Sequence, residues 1–156
     1  MNPRTILFPI DITEMSENMC EWACENFFKA SDLVVLFAVA KKQMKPDGHS
    51  FFGLSHCHGE ALAIQHANEW MRDHIVPKIR KSVGSACEII VKCLESDKHH
   101  IAEAIIEESE RVERKYEAIV LASHKRSSVK EFFVGSVANH VLHHSKVTVI
   151  VQRYWK

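Results

Sequence analysis

The sequence predicts an α/β fold: a single domain over residues 1–156, built on a doubly wound, five-stranded parallel sheet with helices on both faces. Three observations favour this class. The length of 156 residues suits one domain with a full core. Five short runs are mostly apolar, and those at 6–10 and 33–40 are uninterrupted, which is typical of strands buried on both faces. Segments with helical periodicity separate these runs, and strands that alternate with helices imply a parallel sheet.

The first predicted strand and helix lie at the start of the chain. Residues 6–10 form an apolar run that stops at Asp11, and Pro9 is placed at the strand's end because it has no N–H to donate to a ladder. Thr13 suits the N-cap of a helix whose apolar residues recur on one face. Residues 33–40 are again continuously apolar, so they predict the second strand.

A long connection follows the second strand. Residues 41–59 hold three of the five glycines, so they predict a long, mobile surface loop, which in a compact domain is often functional. A long helix is predicted from about residue 60 to residue 81, with Leu62 and Met71 among its inward-facing side chains. Pro77 is expected to kink or end this helix.

The second half of the chain continues the alternation. It predicts a strand, a helix, a strand, a helix and a strand, in that order, at 87–94, 101–112, 118–122, about 134–144 and 147–151. Right-handed crossovers between parallel strands place a ligand crevice at the carboxyl ends of the strands, where the strand order reverses. The residues expected at this crevice are Asp11, Val39, Ala40 and 122–126.

Composition excludes several classes of function. The 20 Lys and Arg residues balance 20 Asp and Glu, whereas a general nucleic-acid binder carries a basic excess. No apolar stretch approaches the roughly 18 residues of a membrane helix, and the N-terminus lacks the pattern of a signal peptide. The 5 cysteines are odd in number and include no C-x-x-C, which favours reduced thiols. We therefore expect a cytoplasmic protein that binds neither nucleic acid nor a membrane.

The motifs of several familiar enzyme and metal sites are missing from the sequence. Only 5 glycines are present, and neither a Walker A loop nor a G-x-G-x-x-G fingerprint occurs. No serine lies in a G-x-S-x-G context, so a hydrolase triad has no support. His56 and His58 flank a cysteine and are weak candidates for metal ligands, because a His-x-His pair without a second pair is a poor metal signal. We expect no catalytic residue and no resident metal.

The stretch 121–151 carries the most specific signal. It runs from a predicted strand through Ala122-Ser-His-Lys125 and nine further residues to Gly135-Ser136, then to the last helix and strand. This order resembles the signature of the universal stress protein family. In that family a strand leads to Gly-x-x-Gly, nine residues, and Gly-Ser or Gly-Thr at the start of the last helix.

The start of the chain is similar to the same family. The run 6–11 ends in an aspartate, and Thr13 and Ser16 follow in the first helical turn, while residues 36–39 match the family's second strand. The resemblance therefore spans the whole chain. It implies a Rossmann-like fold of the adenine nucleotide alpha hydrolase type and, in the family's ATP-binding branch, an adenine-nucleotide pocket.

The resemblance implies a role for each matching position. Asp11 would hold the ribose or its surroundings, and Val39 would meet adenine through its backbone. Gly135 and Ser136 would bind phosphate at the N-terminus of the last helix, where free N–H groups favour anions. The ligand would be ATP or AMP, with Mg²⁺ accompanying ATP. The full set implied for nucleotide binding is Pro9, Asp11, Val39, Ala122, Lys125, Arg126, Gly135, Ser136 and Val137.

Two substitutions depart from the family's motif. Ala122 and Lys125 replace the two earlier glycines, where a backbone without Cβ approaches the ligand or takes a positive φ. Ala122 adds a single methyl group. Lys125 leaves two interpretations open: its charge, with Arg126 and Lys130, compensates for a poorer backbone cradle, or the loop reshapes and the pocket is lost.

A structural alternative is also open for the carboxylate and the cations. Asp11 follows a strand and precedes a helix, so it could cap that helix instead of, or in addition to, meeting a ligand. The segment from 125 to 156 holds six Lys or Arg and one acidic residue, which would suit an anion. A solvated basic face explains the residues from Lys130 onward equally well.

These observations lead to two hypotheses of different class. In the first, the protein is a stress-response regulator that binds an adenine nucleotide, with affinity weakened at Ala122 and Lys125. In the second, it is a nucleotide-independent interaction module of the family's non-ATP-binding branch. The resemblance implies a homodimer through the last strand, where Val147, Val149 and Val151 form an apolar edge that needs covering. Slow ATP hydrolysis is not excluded, although no residue is an obvious base.

Overall fold

The structure is a computed structural model that describes residues 3–41, 57–96, 101–123 and 135–153. All four strand pairings in these ranges are parallel, and helices connect the strands. The strands are β1 (Thr5–Ile10), β2 (Leu33–Lys41), β3 (Glu88–Ser96), β4 (Tyr116–Ser123) and β5 (Thr148–Arg153). The helices are α1 (Glu14–Asn26), α2 (Cys57–Trp70), α3 (Val76–Ser82), α4 (Ile101–Ser109) and α5 (Ser136–His144). The predicted parallel α/β fold is confirmed.

Strand β1 lies at the centre of the sheet, whose strand order is β3-β2-β1-β4-β5. It pairs with β2 from Thr5 opposite Leu33 to Ile10 opposite Ala38. On its other side it pairs with β4 over the residues from Thr5 to Leu7. The chain moves outward from β1 in one direction and then outward from β4 in the other, so the strand order reverses between these two strands. Ligands of such sheets bind at the carboxyl ends of the strands at this reversal.

Successive residues of the central strand pack on opposite faces of the sheet. Ile6 and Phe8 belong to a core cluster with residues of α1, α2 and α3, whereas Leu7 belongs to a second cluster with residues of α4 and α5. These three side chains are at most 1% exposed. Burial on both faces explains why the strand sequences are apolar at almost every position instead of at every second one.

The helical segment that carries Pro77 is interrupted but does not end. Five residues, Met71–Ile75, form a π-helical turn between α2 and α3, and the Val76 N–H bonds to the Met71 carbonyl. Pro77 lies in the first turn of α3, where its missing N–H costs no helical hydrogen bond. In place of the predicted kink at Pro77, the regular α-helical hydrogen bonding is interrupted one turn earlier, in the π-helical turn. Met71 and Ile75 of this turn remain fully buried.

Two expectations for α2 are corrected. The helix begins at Cys57, so the last residues of the predicted surface loop are helical, while residues 42–56 lie outside the described chain. A glycine such as Gly59 inside a helix costs only about 1 kcal/mol relative to alanine. Leu62 is 62% exposed, although an inward position was expected. It lies five residues before the buried Ala67, and five residues at about 100° each place the two on opposite sides of a helix.

The last helices also differ from expectation at their ends. The predicted helix 101–112 ends at Ser109, whose hydroxyl donates to the Ile106 carbonyl at 2.7 Å. Val112 lies beyond it and is 98% exposed. α5 begins at Ser136, two residues later than expected. In the described part of the chain, no helix combines the length and the apolar character needed to cross a membrane.

A buried aspartate connects several segments at the amino ends of the strands. Asp32 is 1% exposed, and its carboxylate accepts hydrogen bonds from Arg4 at 2.9 and 2.7 Å and from the Lys29 N–H at 2.8 Å. Its carbonyl accepts from the Glu88 N–H at 3.0 Å. Arg4 also donates to the Phe27 carbonyl at 2.9 Å. Because every contact of this buried charge is polar and directional, it fixes the start of β1 against α1, β2 and β3.

A second buried carboxylate, Glu108 of α4, has its side chain fully shielded from solvent. Lys92 of β3 lies 2.5 Å away, Arg111 2.8 Å and Arg114 3.4 Å. The Tyr116 hydroxyl donates to Glu108 at 2.9 Å, and burial raises the pKa of this tyrosine to about 12. Three cations and a phenol thus compensate one buried anion, and they join α4 to β3 and β4.

Replacing the buried carboxylate tests this network. We expect Glu108→Gln to lower the free energy of unfolding by about 3 kcal/mol, because three cations and a buried hydroxyl lose their anionic acceptor. The matched control is Glu110→Gln, since Glu110 is more exposed and its contact is Lys146 at 3.2 Å. The control should change stability by less than about 1 kcal/mol. Urea unfolding measures both variants, and equal losses would contradict the assignment.

Candidate functional site

The candidate site lies at the carboxyl ends of β1, β2 and β4 and at the N-terminus of α5. The strand order places the ends of β1 and β4 side by side at its reversal. Asp11, Val39 and Ala122 occupy or directly follow the last residues of these three strands, as expected from the sequence. Lys125 and Arg126, the two cations expected at the site, lie outside the described residues.

A compact hydrogen-bonded turn holds Asp11 in place. Its Oδ1 accepts from the Thr13 hydroxyl at 2.6 Å and from the Ser16 hydroxyl at 2.6 Å. The Asp11 N–H donates back to the Ser16 hydroxyl at 3.2 Å. Asp11 itself is exposed, whereas Ser16 is 6% exposed. Two hydroxyl groups therefore fix the orientation of the Asp11 carboxylate, which lies at the carboxyl end of the central strand.

The helix cap in this turn belongs to Thr13 and not to Asp11. Thr13 has extended backbone angles, and its hydroxyl accepts from the Ser16 N–H at 3.4 Å, as the sequence predicts for an N-cap. Asp11 acts one step further out, by accepting from the hydroxyls of Thr13 and Ser16. The sequence left open that Asp11 caps α1. The structure shows that Thr13 is the capping residue and that Asp11 accepts hydrogen bonds from the hydroxyls of Thr13 and Ser16.

Ile12 adopts a left-handed backbone conformation between these residues, with φ of 59°. A β-branched residue adopts this conformation at a cost of order 1–3 kcal/mol. The hydrogen bonds between Asp11, Thr13 and Ser16 on either side of Ile12 compensate that cost. Strain of this kind concentrates at functional sites, and here it occurs at the residue directly after Asp11.

Two more of the expected residues lie near the ends of the neighbouring strands. Pro9 is the penultimate residue of β1 and lies opposite Phe37 of β2. The pairing of β1 with β4 ends at Leu7, two residues before Pro9. This agrees with its expected place at the strand's end. Val39 lies near the end of β2, opposite Leu94 of β3, and is half-buried. Its side chain packs against the core cluster on the α4 and α5 face, which leaves its backbone as the part suited to meet a ligand.

The end of β4 contributes small residues. Ala122 is half-buried and packs against the core on the α1 face, while the next residue, Ser123, is 5% exposed. Both pair with β5, Ala122 opposite Gln152 and Ser123 opposite Arg153. The methyl group that replaces a glycine hydrogen at 122 is therefore accommodated within a regular strand.

The N-terminus of α5 presents backbone donors without a side-chain cap. Gly135 is the N-cap residue, and within the described residues no side-chain cap bonds to the first turn. A Cβ built on Gly135 meets no described atom within 4 Å. Ser136 is exposed, and Val137 packs into the core and anchors the turn. The first N–H groups of a nine-residue helix, with the positive end of its dipole, suit an anion at this position.

Ser16 is the residue that the sequence-based site set omits. It was noted only as part of the family resemblance, yet it is buried and bonds to both the carboxylate and the N–H of Asp11. The signal that could have identified it is its spacing. A hydroxyl five residues after a strand-ending aspartate, in the first turn of the next helix, lies within reach of that aspartate.

The described residues offer no metal site. No group of three or more His, Cys, Asp or Glu side chains able to hold an ion occurs within them. His56 lies outside the described chain, and His58 falls in the first turn of α2, where only the backbone is described. The two weak metal candidates of the sequence therefore stay untested.

Solved structures with this fold include a universal stress protein from Lactobacillus plantarum, with a TM-score of 0.67, 18% identity, and coverage of 98% of this chain and 99% of that one. A universal stress protein in complex with cAMP has a TM-score of 0.63 and 16% identity, with 98% of each chain covered. The universal stress protein from Archaeoglobus fulgidus in complex with dAMP has a TM-score of 0.60 and 18% identity, with 97% of this chain and 98% of that one covered. These likenesses show a shared fold.

Sequence comparison identifies the family. No curated protein sequence gives a match to the chain. The family model described as the universal stress protein family matches residues 2–153, which is nearly the whole chain and includes both stretches on which the resemblance rests. Together with the parallel sheet and its reversal between β1 and β4, this match shows that the chain belongs to the universal stress protein family.

Proposed function

We propose that this protein binds an adenine nucleotide, ATP or AMP, at the carboxyl ends of β1, β2 and β4, and acts in the cytoplasm as a non-catalytic regulator of a stress response. The observation that carries the proposal is the pair of features at the strand reversal. One is an exposed carboxylate held by the hydroxyls of Thr13 and Ser16, and the other is the N-terminus of α5 at Gly135, which no side chain of the described residues caps and no described atom obstructs.

The two features suit the two ends of a nucleotide. A carboxylate such as Asp11 accepts hydrogen bonds from the vicinal hydroxyls of a ribose. The N–H groups of Ser136 and Val137 in the first turn of α5 can donate to phosphate oxygens, and Gly135 leaves room for that close approach. Adenine would lie against the backbone at Val39. Family members solved with cAMP and with dAMP support an adenine nucleotide as the ligand class.

The same pocket is expected to bind weakly. Ala122 and Lys125 replace two glycines of the family motif, and a Cβ at either position keeps the backbone further from a phosphate. Ala122 lies in regular β-structure, so we expect its effect on nucleotide binding to be limited to the volume of one methyl group. We assign the larger loss of affinity to Lys125. The proposed regulator therefore responds to nucleotide at high concentration.

Isothermal calorimetry with ATP and AMP tests the proposal, together with mass spectrometry of nucleotide released from the purified protein. We expect measurable heat of binding for at least one of the two ligands. Gly135→Glu should weaken binding at least tenfold, because its carboxylate competes for the N–H groups of α5 and repels phosphate. The control Asn139→Glu adds the same charge one turn along the helix, at an exposed position. Absence of heat at millimolar nucleotide, with no released nucleotide, would overturn the proposal.

The role of Lys125 is tested by restoring the motif. We expect Lys125→Gly to tighten nucleotide binding about tenfold, since the glycine lets the backbone approach the phosphates. Lys130→Gly serves as the control, because it removes a nearby charge without restoring a motif position. Calorimetry at two salt concentrations measures both. Weaker binding by Lys125→Gly would contradict the obstruction and would mean that the ammonium group itself contacts the phosphates.

A second candidate function is a dimeric interaction module that works without nucleotide. Strand β5 pairs with β4 and forms one edge of the sheet. Val147, Val149 and Val151 pack against the core on one face, yet each stays half-buried, so this apolar edge is incompletely covered. A second copy of the chain, paired through β5, would cover it.

Sedimentation velocity tests the dimer. We expect a species of twice the 17.9 kDa chain mass at micromolar concentration. Val149→Asp should shift the protein toward monomer, because a desolvated charge is costly at an apolar interface. The control Leu62→Asp changes a residue that is 62% exposed on α2, which packs near β2 and β3 towards the other edge of the sheet. Circular dichroism establishes that both variants are folded. A monomer at all concentrations, or dimers of equal stability in folded variants, would contradict pairing through β5.

A further inference from the structure

Two cysteines lie one helical turn apart on α1. The sulfur atoms of Cys20 and Cys24 are 4.0 Å apart. Cys20 is fully buried in the core on the α1 face, and Cys24 is half-buried. One residue of the pair is thus partly exposed to solvent, and the other is buried.

The helix holds these thiols at a separation that does not suit a disulfide. A disulfide requires sulfur atoms about 2.05 Å apart and Cβ atoms about 3.5–4.5 Å apart. Residues at i and i+4 of an α-helix have Cβ atoms about 5–6 Å apart, so an intrahelical bond between these thiols requires distortion of α1. Two sulfurs that each bond to one bridging atom at about 2.3 Å, with an angle of about 95–110° between the bonds, lie roughly 3.4–3.8 Å apart. From the observed 4.0 Å, a bridge through a third atom therefore needs a smaller movement of the thiols than a direct disulfide does.

The two thiols differ in acidity. The hydrogen bond between the two thiols lowers the pKa of Cys24 against the opposing effect of burial, and the ammonium group of Lys78 acts in the same direction as the hydrogen bond. The same hydrogen bond, followed by burial, raises the pKa of Cys20. Lys78 is held near this part of α1 by Glu17, at 3.5 Å, and by Glu21. Cys24 is therefore both the more accessible and the more nucleophilic thiol of the pair.

The ligand set favours one kind of bridging atom. A structural zinc site takes four protein ligands and a catalytic zinc site three, and the described residues contain no group of three or more His, Cys, Asp or Glu that could hold an ion. A trivalent, thiol-binding atom that already carries one organic substituent needs only two thiols from the protein. A monosubstituted trivalent arsenical meets this requirement.

We propose that Cys20 and Cys24 form a dithiol site on α1 that captures monosubstituted trivalent arsenicals by bridging both sulfur atoms. The Cys24 sulfur attacks the arsenic of R–As=O first, and the Cys20 sulfur closes the bridge. Two As–S bonds form, two S–H bonds break, and the arsenical oxygen leaves as water with the two thiol protons. No atom is oxidised or reduced, so the reaction needs no further reactant.

The remaining described cysteines provide the comparison. Burial raises the pKa of both Cys87 and Cys93, and the thiol of each donates to the carbonyl of the residue that follows it. Among the described side chains, no hydrogen bond joins either of these thiols to a second sulfur, as one joins Cys20 to Cys24. Cys93 is half-buried like Cys24, so it is the matched control for a single accessible thiol.

Phenylarsine oxide is the probe, and intact-mass spectrometry of the full chain is the readout. We expect a 1:1 adduct that survives a large excess of 2-mercaptoethanol and is removed by dithiothreitol, because only a dithiol competes with two As–S bonds. Cys24→Ser and, separately, Cys20→Ala should reduce the monothiol-resistant adduct at least tenfold. Cys93→Ser should leave it unchanged. Peptide mapping of the adduct is expected to place arsenic on the peptide that contains both Cys20 and Cys24.

Several results would overturn the proposal. They are the absence of a monothiol-resistant adduct in the unmodified protein, its retention in folded Cys24→Ser, and its location on a peptide outside α1. Because Cys20 is buried, Cys20→Ala is used only if circular dichroism shows it folded. Cys24→Ser changes a half-buried residue, so by itself it keeps the test decisive.

Discussion

Burial of β1 on both faces is the constraint on which the rest of the structure depends. A strand that packs against helices on both sides is apolar at almost every position, and its backbone must be paired on both edges. Ile6, Leu7 and Phe8 satisfy the first requirement, and β2 and β4 satisfy the second. The reversal of strand order beside β1 follows from this arrangement, and the crevice at its carboxyl end follows from the reversal.

The sheet and most of its connections could be predicted from the sequence because burial leaves continuous apolar runs. Positions where a residue's local chemistry opposes the pattern of apolar residues were harder to predict. At Pro77 the apolar spacing continues across a residue that has no N–H to donate, and the chain accommodates it by beginning α3 there, after a π-helical turn. Leu62 is apolar yet exposed, since one apolar residue off the packing face changes the periodicity little.

The candidate site divides in a similar way. Asp11 and the N-terminus of α5 could be predicted, because a residue that ends a buried strand and a glycine that begins a helix both leave a trace in the sequence. The support beneath Asp11 could not be predicted in full, since it depends on the left-handed turn at Ile12. That turn brings Ser16, an inconspicuous residue in the sequence, to within 2.6 Å of the carboxylate.

The central position of β1 has a further consequence for the order in which the chain folds. Ile6 pairs with Val34 nearby in sequence but also with Ala118, so the middle of the sheet closes a loop of more than a hundred residues. Closing such a loop costs conformational entropy before the contacts between β1 and β4 contribute favourable free energy. During synthesis, β1, β2 and β3 emerge first, and one edge of β1 stays unpaired until β4 follows. The central strand of the finished protein, although it is made first, thus gains its second neighbour later than β2 does.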